Sequence, residues 1–170
     1  MKQLNVISQT ISKTHLKIEK YNDGDGIFVK DLITNEVIEI RFYGIDAPEL
    51  TPCKKLKQDE LETSVSGRLL IELGYKSLEF LKTLVQINDP VTLIQERDNT
   101  KDKYGRTLGY LILKDGRIIN EEMIKFGFAK AYNKIHCNQL PLYQELNLKA
   151  KSEGLGPVSY THLTLPTILL

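Results

Sequence analysis

Residues 15–42, HLKIEKYNDGDGIFVKDLITNEVIEIRF, decide the fold. Leu16 and Ile18 alternate with His15, Lys17 and Glu19, which is the period-two pattern of a half-buried strand. Asn22-Asp23-Gly24-Asp25-Gly26 stops that strand with residues suited to a tight turn, and Ile27-Phe28-Val29-Lys30 starts a second one. Thr34-Asn35 turns the chain again, into Val37-Ile38-Glu39-Ile40-Arg41-Phe42. There Ile38, Ile40 and Phe42 share one face, and Val37, Glu39 and Arg41 share the other. Three short strands joined by tight turns make a meander.

After Pro48 the chain enters a lysine-rich stretch, Pro52 to Lys57, predicted as a loop that leads into a helical region. Tyr75, Leu78, Leu81 and Val85 fall at helical spacing, and Leu69 to Leu73 can begin that helix earlier. Asn88-Asp89-Pro90 ends it, because proline lacks the N–H the ladder needs. Val91–Glu96 and Leu108–Leu113 read as a fourth and a fifth strand. Asp115-Gly116 then turns into a short helix around Asn120–Phe126, stopped by Gly127. A last helix is predicted over about Gln139–Ser152, with Leu142, Leu146 and Ala150 on one stripe. Leu108, Tyr110, Ile112, Ile119, Ile124 and Phe126 are expected in the core. The order predicts an α+β fold, a five-stranded OB-like β-barrel with about three helices.

A chain of 170 residues is long enough for one domain with a real core. Residues 1–13 are polar and aperiodic and read as a flexible N-terminal arm, with the folded domain over 14–156. Residues 158–167, VSYTHLTLPT, match one reading frame of a library-preparation adapter, so 157–170 are expected to be a foreign tail. No stretch approaches the roughly 20 apolar residues of a membrane helix, and no membrane partner is expected. No secretory leader is legible, which makes the cytoplasm the default location and secretion the alternative if a leader precedes this stretch. Cys53 and Cys137 are expected as free thiols, and neither has the Cys/His spacing of a zinc site. A net charge of +1 points to no partner by itself.

Two clusters carry chemistry. One is Asp23-Gly24-Asp25-Gly26 together with Arg41-Phe42-Tyr43-Gly44-Ile45-Asp46-Ala47-Pro48-Glu49, and the other is Asp102-Lys103-Tyr104-Gly105-Arg106. With Leu108-Gly109-Tyr110, Gly116-Arg117-Ile118-Ile119-Asn120 and Gly127-Phe128-Ala129, these pieces in this order resemble the staphylococcal nuclease family over roughly residues 15–155. Each piece alone is weak, since Asp-Gly-Asp occurs in many turns. Their succession is specific.

The resemblance implies a calcium-dependent nuclease cleaving DNA, RNA or both, and a monomer is expected. Asp25 and Asp46 are hard oxygen donors suited to Ca²⁺, and in the family the residue after the second aspartate, here Ala47, adds its backbone carbonyl. Glu49 takes the position of the general base that activates water. Arg41 and Arg106 match two arginines whose guanidinium forks counter transition-state charge. Lys103 and Tyr104 resemble positions that hold a neighbouring phosphate. Tyr132 corresponds to a tyrosine that packs against a base, or is simply a partly buried aromatic. Asn120 resembles a buried, hydrogen-bonded structural position. Gly26 departs from the family's usual threonine, and the stretch from Glu49 to Arg106 is longer than in the best-known member. The rival reading is a non-catalytic nucleic-acid- or protein-binding OB module. Degenerate copies of that kind lose the acids or arginines, all of which stand in this chain.

Overall fold

The computed structural model describes Leu4 and residues 9–158. Strands β1 (Thr10–Asp23), β2 (Gly26–Asp31) and β3 (Val37–Phe42) form the predicted meander. The two-residue β4 (Ile45–Asp46) follows, then helices α1 (Lys54–Thr63) and α2 (Gly67–Leu84). Strands β5 (Pro90–Glu96) and β6 (Thr107–Leu113) come next, then α3 (Ile119–Lys125), β7 (Lys130–Ala131) and α4 (Leu140–Ser152). The barrel is closed in the order β1-β2-β3-β6-β5, and β4 pairs with β7 in a separate ribbon. This is the expected α+β barrel, with four helices among the described residues rather than about three.

Closure depends on β1 being long enough to serve two neighbours. Thr10–Lys13 pair with Leu93–Glu96 of β5, while Leu16–Asp23 pair with β2. Between Lys13 and Leu16 the register with β5 shifts and His15 takes a positive φ of 58°, and beyond it Leu16 and Lys17 pair with both β5 and β2. The stretch read as a loose arm therefore contains the first residues of β1. The side chains of Thr10–Lys13 are exposed, which leaves no hydrophobic pattern to read in these first residues of the strand.

Leu16, Ile18, Ile27, Val29, Ile40, Phe42, Leu93, Leu108 and Leu111 fill the barrel. At one end Tyr110 lies 4.7 Å from Tyr43 and 6.5 Å from Tyr143, ring centre to ring centre. Asn120 is fully buried there. Its Nδ2 donates to the carbonyls of Tyr43 and Gly109, both at 3.1 Å, and its Oδ1 accepts the Leu111 N–H at 3.1 Å. One side chain thus ties α3 to the end of β3 and to β6.

The helices correct several expectations. The stretch read as a loop, Pro52 to Lys57, instead opens α1 from Lys54, with the Cys53 thiol capping it by accepting the Leu56 N–H at 3.4 Å. Its apolar burial is confined to Leu56, too little for a visible stripe. Helix α2 buries Leu70, Leu73, Gly74, Ser77 and Leu81, and Tyr75 faces outward. Helix α4 buries Leu140, Tyr143 and Ala150, with Leu142 exposed and Leu146 partly buried. Ile112 is half-buried, and Phe126 is exposed at the surface beside Phe80. Cys53 and Cys137 are free thiols. No helix among the described residues is long and apolar enough to cross a membrane. The foreign tail expected from 157 lies outside the described residues beyond Val158. Val158 itself is buried against Leu56, Leu70 and Leu73.

Candidate active site

The β1–β2 register sets Asp23 opposite Gly26, which leaves Gly24 and Asp25 as a two-residue turn. A Cβ on Gly24 would come within 2.7 Å of the Cβ atoms of Ala47 and Ser77, so glycine lets the turn seat against the end of β4 and α2. Asp25 is buried. Its Oδ2 accepts the Ala47 N–H at 2.9 Å and faces Arg41 Nη2 at 3.3 Å. The two stretches quoted for the first cluster are thereby bonded to each other.

Arg41 stands near the end of β3, opposite Gly26. It lies off the apolar face, as alternation requires, yet only 5% of it is exposed. Nη1 donates to the carbonyls of Ile45 at 2.8 Å, Phe42 at 3.0 Å and Asp25 at 3.4 Å. Nη2 reaches Asp46 Oδ1 at 3.4 Å as well as Asp25. The guanidinium is the hub that holds both aspartates.

Asp46 lies in β4, paired with Lys130 of β7, whose Nζ is 3.9 Å from Asp46 Oδ2. Beyond Pro48, the chain carrying Glu49 rests on α2 at Gly74. A Cβ there would sit 2.7 Å from the carbonyl oxygens of Pro48 and Glu49. The Glu49 side chain is about one-third exposed, and its Oε1 accepts a hydrogen bond from Lys55 Nζ at 2.9 Å. Lys55, on α1, also lies 2.9 Å from Asp46 Oδ1 and 3.7 Å from Asp59 Oδ2.

The electrostatics follow from burial against these cations. Burial by itself raises the Asp25 carboxyl, but Arg41, Lys55 and the Ala47 N–H outweigh it and hold Asp25 below the usual range. Asp46 is pushed up by burial and by the charge of Asp25, against Lys55, Arg41 and Lys130. Asp23 is pushed up to about 8, by burial first and then by Asp25. Lys55 and Arg41 are raised by their carboxylate neighbours in spite of burial.

The second cluster is a closed turn between β5 and β6. Asp102 Oδ1 accepts the N–H groups of Tyr104 and Arg106, both at 2.9 Å, and Oδ2 accepts Arg106 Nε at 2.7 Å. Gly105 supplies the positive φ of 81° the turn requires. Burial alone would raise the Asp102 carboxyl, but the bonds from the Arg106 backbone and guanidinium bring it below its ordinary value. The Arg106 side chain is about one-third exposed. Tyr104 is 73% exposed, its ring 5.1 Å from Lys103 Nζ and 5.6 Å from the Arg106 guanidinium carbon.

Both clusters open onto one cleft of about 650 Å³. Its walls include Asp25, Arg41, Asp46, Glu49, Lys103, Tyr104, Arg106 and Tyr132. Ala47 is buried and is not among the cleft's lining residues, but its N–H is bonded to Asp25 Oδ2. Tyr132 is half-buried, with the Arg41 guanidinium 5.9 Å from its ring centre. Asp23 and Lys55 also line the cleft and were missed as site residues. Asp23 was legible only as turn chemistry. Lys55 was one lysine among several in an apparent loop, and only the helix aims it at Asp46.

Among the described residues no group of three or more His, Cys, Asp or Glu side chains is placed to hold a metal ion. The site nevertheless suits a hard cation. Asp25 and Asp46 are both buried carboxylates, and the Lys55 ammonium already places positive charge against Asp46 and Glu49.

A closed five-stranded barrel with acids and arginines gathered at one cleft defines a class that the comparisons bear out. The chain belongs to the family described as "Staphylococcal nuclease homologue", whose model matches residues 39–157. It is 32% identical to endonuclease YhcR of Bacillus subtilis (strain 168) over 115 residues, 68% of this chain and 9% of that protein. It is 29% identical to the uncharacterized protein MJ1439 of Methanocaldococcus jannaschii over 122 residues, 68% of this chain and 58% of the relative. An "Uncharacterized endonuclease" of Escherichia coli O157:H7 is 33% identical over 142 residues, 84% of this chain and 75% of the relative. The chain thus spans less than two-thirds of the first two relatives.

Proposed function

We propose that this chain is a calcium-dependent nuclease hydrolysing phosphodiester bonds of DNA, RNA or both. The observation that carries the reading is the convergence of Asp25, Arg41, Asp46, Glu49 and Arg106 on one cleft from three separate stretches of sequence. Two of the relatives above carry the name endonuclease, which supports the same reading.

Asp25 and Asp46 would hold calcium with the Ala47 carbonyl, leaving further positions to water and phosphate. When bound, the ion polarises the phosphoryl oxygens and offsets their charge. Glu49 takes the proton of a water that attacks phosphorus in line. The 5′ oxygen leaves, giving a 3′-phosphate end. Arg106 is exposed enough to fork onto phosphate oxygens, and it counters the charge that builds in the pentacoordinate transition state. Arg41 adds charge from below while fixing both aspartates. Tyr104 and Lys103 meet the neighbouring phosphate, and Tyr132 offers a ring to a base.

The test is cleavage of single- and double-stranded DNA and RNA with calcium, zinc or excess chelator. Calcium should support turnover better than zinc, because the offered donors are oxygens. Full activity in chelator would overturn the metal-dependent reading. Glu49→Gln should lose on the order of 10²–10⁴ in rate while staying folded. Wild-type rates in that variant would remove Glu49 from the general-base role, and no cleavage by the wild type would favour the binding-module reading.

A further inference from the structure

Lys55 projects from the first turn of α1 into the carboxylate cluster. Its Nζ is 2.9 Å from Asp46 Oδ1, 2.9 Å from Glu49 Oε1 and 3.7 Å from Asp59 Oδ2. It therefore touches both the aspartate assigned to the metal and the glutamate assigned to water activation. An ammonium group has three donors, and three carboxylates lie around this one. Lys55 and Asp59 are four residues apart on the same helix, so they can meet without any movement of backbone. Asp59 is buried, which keeps its charge from being dissipated by water.

We propose that Lys55 is an internal counter-ion that competes with calcium for Asp46, and so sets the metal affinity of the site. The inference rests on the functional reading above. In the metal-free chain the ammonium neutralises Asp46 and engages Glu49. Asp46 Oδ1 already faces both Lys55 and Arg41, so an arriving divalent ion adds a further positive charge there, and the repulsion displaces Lys55, the less buried of the two cations. Lys55 then leaves Asp46 and Glu49 and pairs with Asp59, one helical turn further along α1. The exchange has two consequences. It adds a cation, beside Arg41 and Lys130, to balance the buried Asp46 carboxylate of the metal-free chain. It also frees Glu49 from its hydrogen-bond donor in the same step that loads the metal.

Calorimetric titration of calcium chloride into the wild type and four variants, Lys55→Met, Lys55→Arg, Asp59→Asn and the Lys55→Met/Asp59→Asn double variant, tests this without any activity measurement. Removing the competing charge in Lys55→Met should tighten calcium binding by about tenfold or more. Lys55→Arg keeps a cation in place and should stay within about threefold of wild type. Asp59→Asn removes the alternative partner and should weaken binding by roughly threefold, and this loss should shrink in the Lys55→Met background. Equal or weaker calcium affinity in Lys55→Met overturns the proposal while leaving the nuclease reading intact. So does an Asp59→Asn loss of the same size with and without Lys55. If Lys55→Met does not fold, Asp59→Asn decides alone, with unchanged affinity overturning the proposal. Calcium binding by Lys55→Met but not by wild type would be its strongest support. Calcium binding by neither would overturn both the proposal and the metal-dependent reading.

Discussion

Arg41 and Arg106 reach the same cleft in different physical states. Arg41 is enclosed by three carbonyls and two carboxylates and is 5% exposed. Arg106 stands on a turn, one-third exposed, with Asp102 as its carboxylate partner. Enclosure makes Arg41 part of the scaffold: its fork determines where Asp25 and Asp46 stand. Exposure leaves Arg106 able to meet a substrate while Asp102 limits its orientations. Two residues with the same assigned role should therefore answer the same substitution differently.

The largest difference is expected at the buried arginine. Lysine cannot reproduce a fork that bonds three carbonyls and two acids at once. Arg41→Lys should lower stability by roughly 2–4 kcal/mol. It should also lower kcat by on the order of 10²–10³, because the aspartates lose their common anchor. Thermal unfolding and steady-state kinetics read the two effects separately. A variant as stable as wild type would show that Arg41 is not the hub.

Arg106→Lys sharpens the contrast. It should lose a similar 10²–10³ in kcat. Its stability should stay within about 1 kcal/mol, since the pair is partly exposed. Oligonucleotide affinity should fall far less than rate, because the charge remains. A loss of affinity in proportion to rate would instead make Arg106 a ground-state anchor.

A smaller effect is expected from Asp102→Asn. Asparagine keeps an oxygen for the Tyr104 and Arg106 N–H groups but loses the charge that aims the guanidinium. A fall in kcat of about tenfold, with only the small drop in unfolding temperature that loss of a partly exposed ion pair brings, fits a positioning role. No change in kcat would mean that the turn backbone alone holds Arg106.

The smallest effect is the acid titration of that turn. The folded Asp102 carboxyl lies below its ordinary value, so the stabilisation it brings is present above about pH 4 and is lost as pH falls through the lowered value. The Arg106 amide resonance should titrate below the ordinary carboxylate range, and the transition should vanish in Asp102→Asn. Titration at the ordinary carboxylate value would mean that the bonds to Arg106 do not persist in solution.

Both arginines, both aspartates and Glu49 were legible in sequence because each sits in a short motif whose neighbours are also recognisable. Asp102 was legible as part of such a motif, but its bonds to the turn were not. Lys55 was not legible at all as a site residue, since α1 exposes most of its side chains and leaves no apolar stripe to reveal the helix. Thr10–Lys13 escaped for a related reason: a strand segment whose side chains are all exposed shows no apolar alternation.

The sequence by itself determined the meander, the turn chemistry at Gly24–Asp25 and Gly105, the apolar faces that fill the barrel, and which acids and bases the chain has to work with. These are local properties, fixed by side-chain period and by the backbone freedom of single residues. Only the tertiary structure decided which groups meet. The double pairing of β1 with β2 and β5 closes the barrel, Gly74 admits the Pro48–Glu49 backbone against α2, and Arg41 is enclosed by groups that alternation alone could not name. Contacts between segments distant in sequence depend on how the chain packs, and packing is a property of the whole fold.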